Sequence, residues 1–181
     1  RFWVGTMDDA EQDRAGSFYR YGDGRLTWRW GDVGVPNSLA FSVDGSRMYA
    51  GDAWDRTIWA AEYDAGGGRP ERWAECAHVD DPGGPGGSSV DGEDHLWNAA
   101  WGNSRLTRYA PDGSIALVLE VPVTRPTCPA FGGDDLDLLF VTTARVGGRR
   151  TEHEGAILVY EAGVRGLAEQ PVLVHERGEK P

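Results

Sequence analysis

The sequence predicts an all-β chain built from propeller-like blades, and three observations carry that prediction. Its 26 glycines are spread along the chain and punctuate short alternating or apolar runs, as turns do between strands. No stretch sustains an amphipathic helical period over about a dozen residues, so helix content should be low. An aromatic-centred strand also recurs. Phe2-Trp3-Val4, Met48-Tyr49-Ala50, Leu96-Trp97-Asn98 and Leu139-Phe140-Val141 stand 43 to 48 residues apart, a blade-sized period. β-Sandwiches share strands at short regular spacing but lack this longer self-similarity.

Each repeat strand is followed by a second strand and a turn, as a four-stranded blade requires. Residues 17–21 (Ser-Phe-Tyr-Arg-Tyr) run into Gly22-Asp23-Gly24, and residues 57–63 into Asp64-Ala65-Gly66-Gly67. Further along, residues 105–109 (Arg-Leu-Thr-Arg-Tyr) lead to Pro111-Asp112-Gly113, and residues 156–160 (Ala-Ile-Leu-Val-Tyr) to Ala162-Gly163. Residues 1–181 are therefore expected to form a single propeller domain of about four blade repeats. The chain opens directly on a strand pattern, Arg1-Phe2-Trp3-Val4-Gly5, with no initiator methionine, which reads as an incomplete ring whose earlier blades lie upstream.

Composition narrows the partners. With 181 residues, 40% of them hydrophobic and 10% aromatic, the chain can bury a real core. A net charge of −11 argues against nucleic acid and anionic membrane, because a phosphate-binding surface needs a basic stripe. No apolar run approaches the roughly 20 residues of a membrane span. Two cysteines, Cys76 and Cys128, are too few for a disulfide framework and read as small buried hydrophobes, so a soluble, cytoplasmic setting is expected.

Five motifs in order carry a resemblance: Gly5-Thr6-Met7-Asp8-Asp9; Gly16-Ser17-Phe18-Tyr19-Arg20; Pro36-Asn37-Ser38-Leu39-Ala40-Phe41; Thr127-Cys128-Pro129-Ala130-Phe131-Gly132-Gly133; and Val141-Thr142-Thr143-Ala144-Arg145. Together they resemble the SMP-30/gluconolactonase/regucalcin family, with Gly163-Val164-Arg165-Gly166-Leu167 fitting its late segment. The resemblance implies a six-bladed β-propeller, of which this chain would cover roughly the last four blades. It also implies hydrolysis of a sugar lactone at a central divalent metal, Ca²⁺ or Zn²⁺. Such a cation polarises the lactone carbonyl and lowers the pKa of a bound water, while a neighbouring carboxylate moves the proton.

Carried over residue by residue, the family's asparagine metal ligand matches Asn37, in a motif usually written Asn-Gly-Leu and here Asn37-Ser38-Leu39. The acidic substrate-contact position matches Asp9. The family aspartate that ligates the metal and serves as general acid or base stands in a Pro-Asp-Gly motif, here Pro85-Gly86-Gly87. Gly86 leaves the catalytic position without a carboxylate, so a catalytically altered or inactive propeller that binds a small molecule or protein stands as the alternative. The glutamate ligand and the substrate-gripping arginine and asparagine of the family would fall upstream of Arg1.

Plainer roles compete for the same residues. Asn37 could cap a turn, and Asp9 could be a solvated loop acid within Asp8-Asp9-Ala10-Glu11. Asp52 could reach the channel or close a strand-end turn; Asp80 and Asp81 read as surface loop; Asp91 reads as structural. Cys76 and His78 lack a second pair for a zinc spacing, Asp134-Asp135-Leu136-Asp137 lacks EF-hand ligand order, and Thr151-Glu152-His153-Glu154 reads as a polar hairpin tip or loop. Of the eight tryptophans, Trp3, Trp59 and Trp97 are expected in the inter-blade core. Trp54 and Trp101 follow strand ends, where they could fill space or offer a sugar-stacking platform.

Overall fold

The computed structural model describes residues 2–146 and 151–169, and the described residues are strands, turns and loops without a helix. Among the described residues fourteen strands form four antiparallel meanders, arranged as the blades of a β-propeller. The first blade is β1 (Phe2–Thr6), β2 (Gly16–Gly22) and β3 (Arg25–Val33). The second is β4 (Pro36–Phe41), β5 (Arg47–Asp52), β6 (Thr57–Asp64) and β7 (Arg69–His78), and the third is β8 (Gly84–Val90), β9 (Leu96–Trp101), β10 (Arg105–Tyr109) and β11 (Ile115–Glu120). The fourth is β12 (Pro126–Gly132), β13 (Leu138–Thr143) and β14 (Ile157–Glu161). Consecutive strands pair because short turns join them, several closed by a glycine with positive φ such as Gly45 (69°) and Gly113 (86°), a conformation that costs glycine nothing.

The recurring aromatic strands are β1, β5, β9 and β13. β5, β9 and β13 sit second in their sheets; β5 and β9 are covered on both faces and read as apolar runs, whereas β13 alternates, burying Leu139 and Val141. Apolar side chains from successive blades interlock between the sheets. Phe18 and Val33 of the first blade meet Ala50 of the second. Tyr49 and Ile58 meet Leu96 and Tyr109 of the third, and Trp97 and Leu106 meet Leu139 and Val141 of the fourth. At roughly 1.5–3 kcal/mol for each large apolar side chain buried, these seams hold one blade to the next.

Three inner strands, β4, β8 and β12, pack side by side. Each has a proline at or next to its start, Pro36, Pro85 and Pro126, where the missing N–H is tolerated. Close to each proline the pairing with the second strand slips: past Asn37, which still pairs with Gly51, and before Ala40 in β4, between Pro85 and Ser88 in β8, and between Pro126 and Cys128 in β12. Such a bulge re-aims the side chains at and beside it.

Two expectations need correction. Cys128 is exposed and Cys76 only half-buried, because Cys128 lies at the β12 bulge rather than in an inter-blade seam. Trp3 and Trp97 are core, at 8% and 2% exposure, but Trp59 is 37% exposed: it sits toward the outer part of the seam between the first two blades, where packing opens into a cleft.

Candidate active site

The three bulges place Asn37, Gly86 and Thr127 at equivalent positions on neighbouring inner strands, since Pro36, Pro85 and Pro126 pair with the ends of the second strands at Asp52, Ala100 and Thr143. Their chemistry differs. The Asn37 side chain is half-buried and forms no hydrogen bond to a described residue, so both its carbonyl oxygen and its amide are free to meet a ligand. A turn-capping role would have engaged that oxygen with a backbone N–H. The Thr127 hydroxyl is held by the Thr142 hydroxyl at 2.6 Å. Gly86 is buried, and a Cβ built there would lie 2.7 Å from both the Ala99 and Thr127 carbonyl oxygens. The strands on either side of position 86 stand at a spacing that only glycine fits.

Behind these positions lies a buried polar cluster that sequence reasoning missed. Ser38 adopts φ 58°, the left-handed region that suits the glycine of an Asn-Gly-Leu motif, at a cost of about 1–2 kcal/mol for an L-residue. Its hydroxyl lies 2.5 Å from the Ser88 hydroxyl. Asn98, fully buried, donates through Nδ2 to Ser88 Oγ at 3.0 Å, to the Gly86 carbonyl at 3.2 Å, to the Gly87 carbonyl at 3.3 Å and to Ser38 Oγ at 3.4 Å. One side chain thus ties the Asn37 bulge to the Gly86 bulge. A signal was present, because Asn98 is polar where the other copies of the repeat carry Val4, Ala50 and Val141.

Asp9 lies exposed on the loop between β1 and β2. That loop is held by its neighbours. The Asp8 carboxylate accepts the N–H groups of Ala10 (3.2 Å), Gln12 (2.9 Å) and Asp13 (3.3 Å), and these bonds, led by Gln12, hold its pKa below the usual carboxylate range. Arg14 pins the far end through Asp55 at 2.7 Å, Asp52 at 3.1 Å and Asp32 at 3.4 Å. Because Asp52 pairs with Pro36, this clamp fixes the Asp9 loop at the end of the blades where Asn37 lies.

The remaining acids have structural work. Asp52 accepts the N–H groups of Gly34, Val35 and Trp54, closing the turn at the end of β5. Asp80 pairs with Arg105 at 3.0 Å and Asp81 with Arg56 at 2.7 Å. Asp91, fully buried, accepts from Glu93 N, His95 N, Trp97 Nε1 and Arg108 Nε. Burial pushes its pKa up, but Arg108, His95 and Trp97 outweigh that and leave the carboxyl below its ordinary value. Glu154, expected in a polar tip, is 2% exposed. Trp101 lies under the Arg125 guanidinium at 5.7 Å and Trp54 packs over Gly34, while both rings keep more than a third of their surface exposed.

Among the described residues no three His, Cys, Asp or Glu side chains gather as metal ligands. Ca²⁺ takes about six to eight oxygens and Zn²⁺ about four ligands. Asn37 offers one neutral oxygen and Gly86 none, so the described residues do not by themselves fit a divalent cation.

The family model for the SMP-30/gluconolactonase/LRE-like region matches residues 1–145. The chain is 37% identical over 177 residues to an L-arabinolactonase of Azospirillum brasilense, covering 92% of this chain and 58% of that protein. It is 36% identical over 160 residues to a pentonolactonase of Haloferax volcanii, covering 86% and 53%. Among solved structures, a calcium-binding protein, regucalcin, from Agrobacterium tumefaciens superposes with a TM-score of 0.86 at 34% identity, covering 92% of this chain and 59% of that one. The chain therefore spans a little over half the length of these relatives.

Proposed function

The chain belongs to the SMP-30/gluconolactonase/LRE-like family, and from that premise we propose that the whole protein hydrolyses a sugar lactone. Water adds to the ring-ester carbonyl, the carbonyl–ring oxygen bond breaks, and the water proton ends on the departing alkoxide, giving the open hydroxy acid. The observation that carries this reading is the similarity to the L-arabinolactonase across 92% of the chain. A second support is that Asn37 keeps a free amide at the bulge of β4.

In this reading Asn37 binds at the inner end of β4, and Asp9, on a loop held by Asp8 and Arg14, accepts sugar hydroxyls. The Ser38–Ser88–Asn98 cluster keeps the Asn37 bulge in place. Gly86 supplies no proton acceptor, so the base that activates water comes from outside the inner-strand positions described. A Ca²⁺ or Zn²⁺ ion would draw most of its ligands from outside the described residues, with Asn37 adding one oxygen.

The closed backbone at Gly86 specifically favours a second reading, a propeller that binds its ligand without turning it over. The test uses the protein at its natural full length. Acid release is followed in a pH-stat with L-arabino-1,4-lactone and D-glucono-1,5-lactone, with and without EDTA, alongside calorimetric titration of the same lactones. Lactone-dependent acid release above the spontaneous rate, reduced by Asn37→Ala, supports hydrolysis. Saturable binding with only the spontaneous rate supports the second reading, and neither binding nor turnover refutes both.

A further inference from the structure

Between the first two blades, outward of the Phe18–Val33–Ala50 seam, lies a cleft of about 320 Å³. Its walls are aromatic: Phe18 and Trp30 from the first blade, Trp59 and Trp73 from the second. Contacts between rings set their orientation before any ligand arrives. Phe18 and Trp30 lie 4.6 Å apart, and Trp30 meets Trp73 edge-on at 5.1 Å. Trp59 and Trp73 nonetheless stay 37% exposed. A smaller opening of about 200 Å³ between the second and third blades is lined by Arg47, Glu62, Arg72, Glu75 and Asp112 and holds no aromatic ring.

The charged residues of the cleft are one-sided. Asp32, Asp52 and Asp55 face a single cation, Arg14, which all three already hold. These carboxylates outnumber the guanidinium and leave the cleft with a net negative charge. The Asp52 oxygens are further occupied by the Gly34, Val35 and Trp54 N–H groups. The Asp32 side chain is 87% exposed and that of Asp55 43%, so both keep carboxylate surface for a ligand.

We propose that this cleft binds a small alkylated ammonium ion. Indole faces carry the negative end of the ring quadrupole and attract an organic cation, most strongly when its methyl groups displace water from the walls. The carboxylates add to that attraction and repel anions, including the hydroxy acid that lactone opening would release. A neutral polyol would stack on the same rings but would leave the net charge unanswered. The volume falls at the small end of the about 300–1,000 Å³ usual for ligand pockets, which suits a headgroup-sized cation. The proposal does not depend on the lactone reading.

The test is calorimetric titration of the protein with choline, with its neutral isostere 3,3-dimethyl-1-butanol, and with gluconate as competitor. Saturable choline binding is expected, with the isostere weaker by about tenfold or more. Trp73→Leu should weaken choline about tenfold, and Asp55→Asn, which leaves Arg14 paired with Asp52 and Asp32, several-fold. Gluconate should not compete. No saturable heat, equal affinity for choline and isostere, or competition by gluconate overturns the proposal. Unchanged affinity in both variants places binding elsewhere and overturns it equally.

Discussion

Alanine at position 86 adds one methyl group to a place where the backbone leaves no room for it. Its Cβ would stand 2.7 Å from the carbonyl oxygens of Ala99 on β9 and Thr127 on β12, whereas carbon–oxygen contacts ordinarily begin near about 3.3 Å. Both strands must therefore yield by about 0.6 Å, and neither obstacle is a side chain that can swing aside. Small-to-large changes of this kind cost about 1–3 kcal/mol. For a chain of this size each kcal/mol lowers Tm by about 2–4 °C, so Gly86→Ala should lose about 2–12 °C. Urea unfolding followed by tryptophan fluorescence, analysed with a common slope, gives the free energy directly. A change smaller than about 0.5 kcal/mol would refute the steric argument and mean that β9 and β12 part cheaply. Gly86→Asp should cost more than Gly86→Ala, because it also brings a carboxylate against two carbonyl oxygens. Restoring the family aspartate alone is thus a poor test of catalysis unless the variant is first shown to fold.

Asp91→Ala removes the acceptor for four hydrogen bonds and leaves the Arg108 side chain, 12% exposed, with Glu93 as its remaining ion pair; a loss of about 3 kcal/mol in chemical denaturation is expected. Asn37→Ala should leave stability within about 0.5 kcal/mol, since the amide bonds to no described residue, yet lower lactone kcat/KM by about tenfold or more. An unfolded variant, or unchanged turnover, would contradict that separation. Acid should weaken the fold in a defined window. Hydrogen bonds from the Ser46 N–H and hydroxyl and from the Ser42 hydroxyl hold Asp44 down from 3.8 to about 2. The unfolded chain therefore binds the proton first, and this contribution, present above about pH 4, is lost as pH falls through about 2. Urea midpoints measured across that range should fall for the wild type and fall less steeply for Asp44→Asn.

Much of the fold was legible because blades are local. Each sheet is a meander of consecutive strands, so strand and turn follow one another in sequence. In the second and third blades the second strand is buried on both faces, which is why Met48-Tyr49-Ala50 and Leu96-Trp97-Asn98 stood out as apolar repeats. The alignment of Asn37 with Gly86 was legible for the same reason, since a proline at or beside the start of each inner strand marks the bulge. Asp52 was harder. Its choice between channel and turn depended on where the Gly34 and Val35 N–H groups point, and an isolated aspartate says nothing of that.

The sequence by itself determined the all-β class and the recurrence of the aromatic-centred strand, because both are written within a single repeat. Tertiary structure alone decided that position 86 is closed, that Asn98 joins two bulges, and that Trp59 borders a charged cleft rather than filling a core. Each of those depends on groups from different blades or from strands far apart in the chain. The Ala99 and Thr127 carbonyls reach Gly86 from two sheets, Ser38 meets Ser88 from another pair, and Trp30 meets Trp73 across a seam. Periodicity fixes which residues a blade presents, but the distances across the seams appear only when the blades pack.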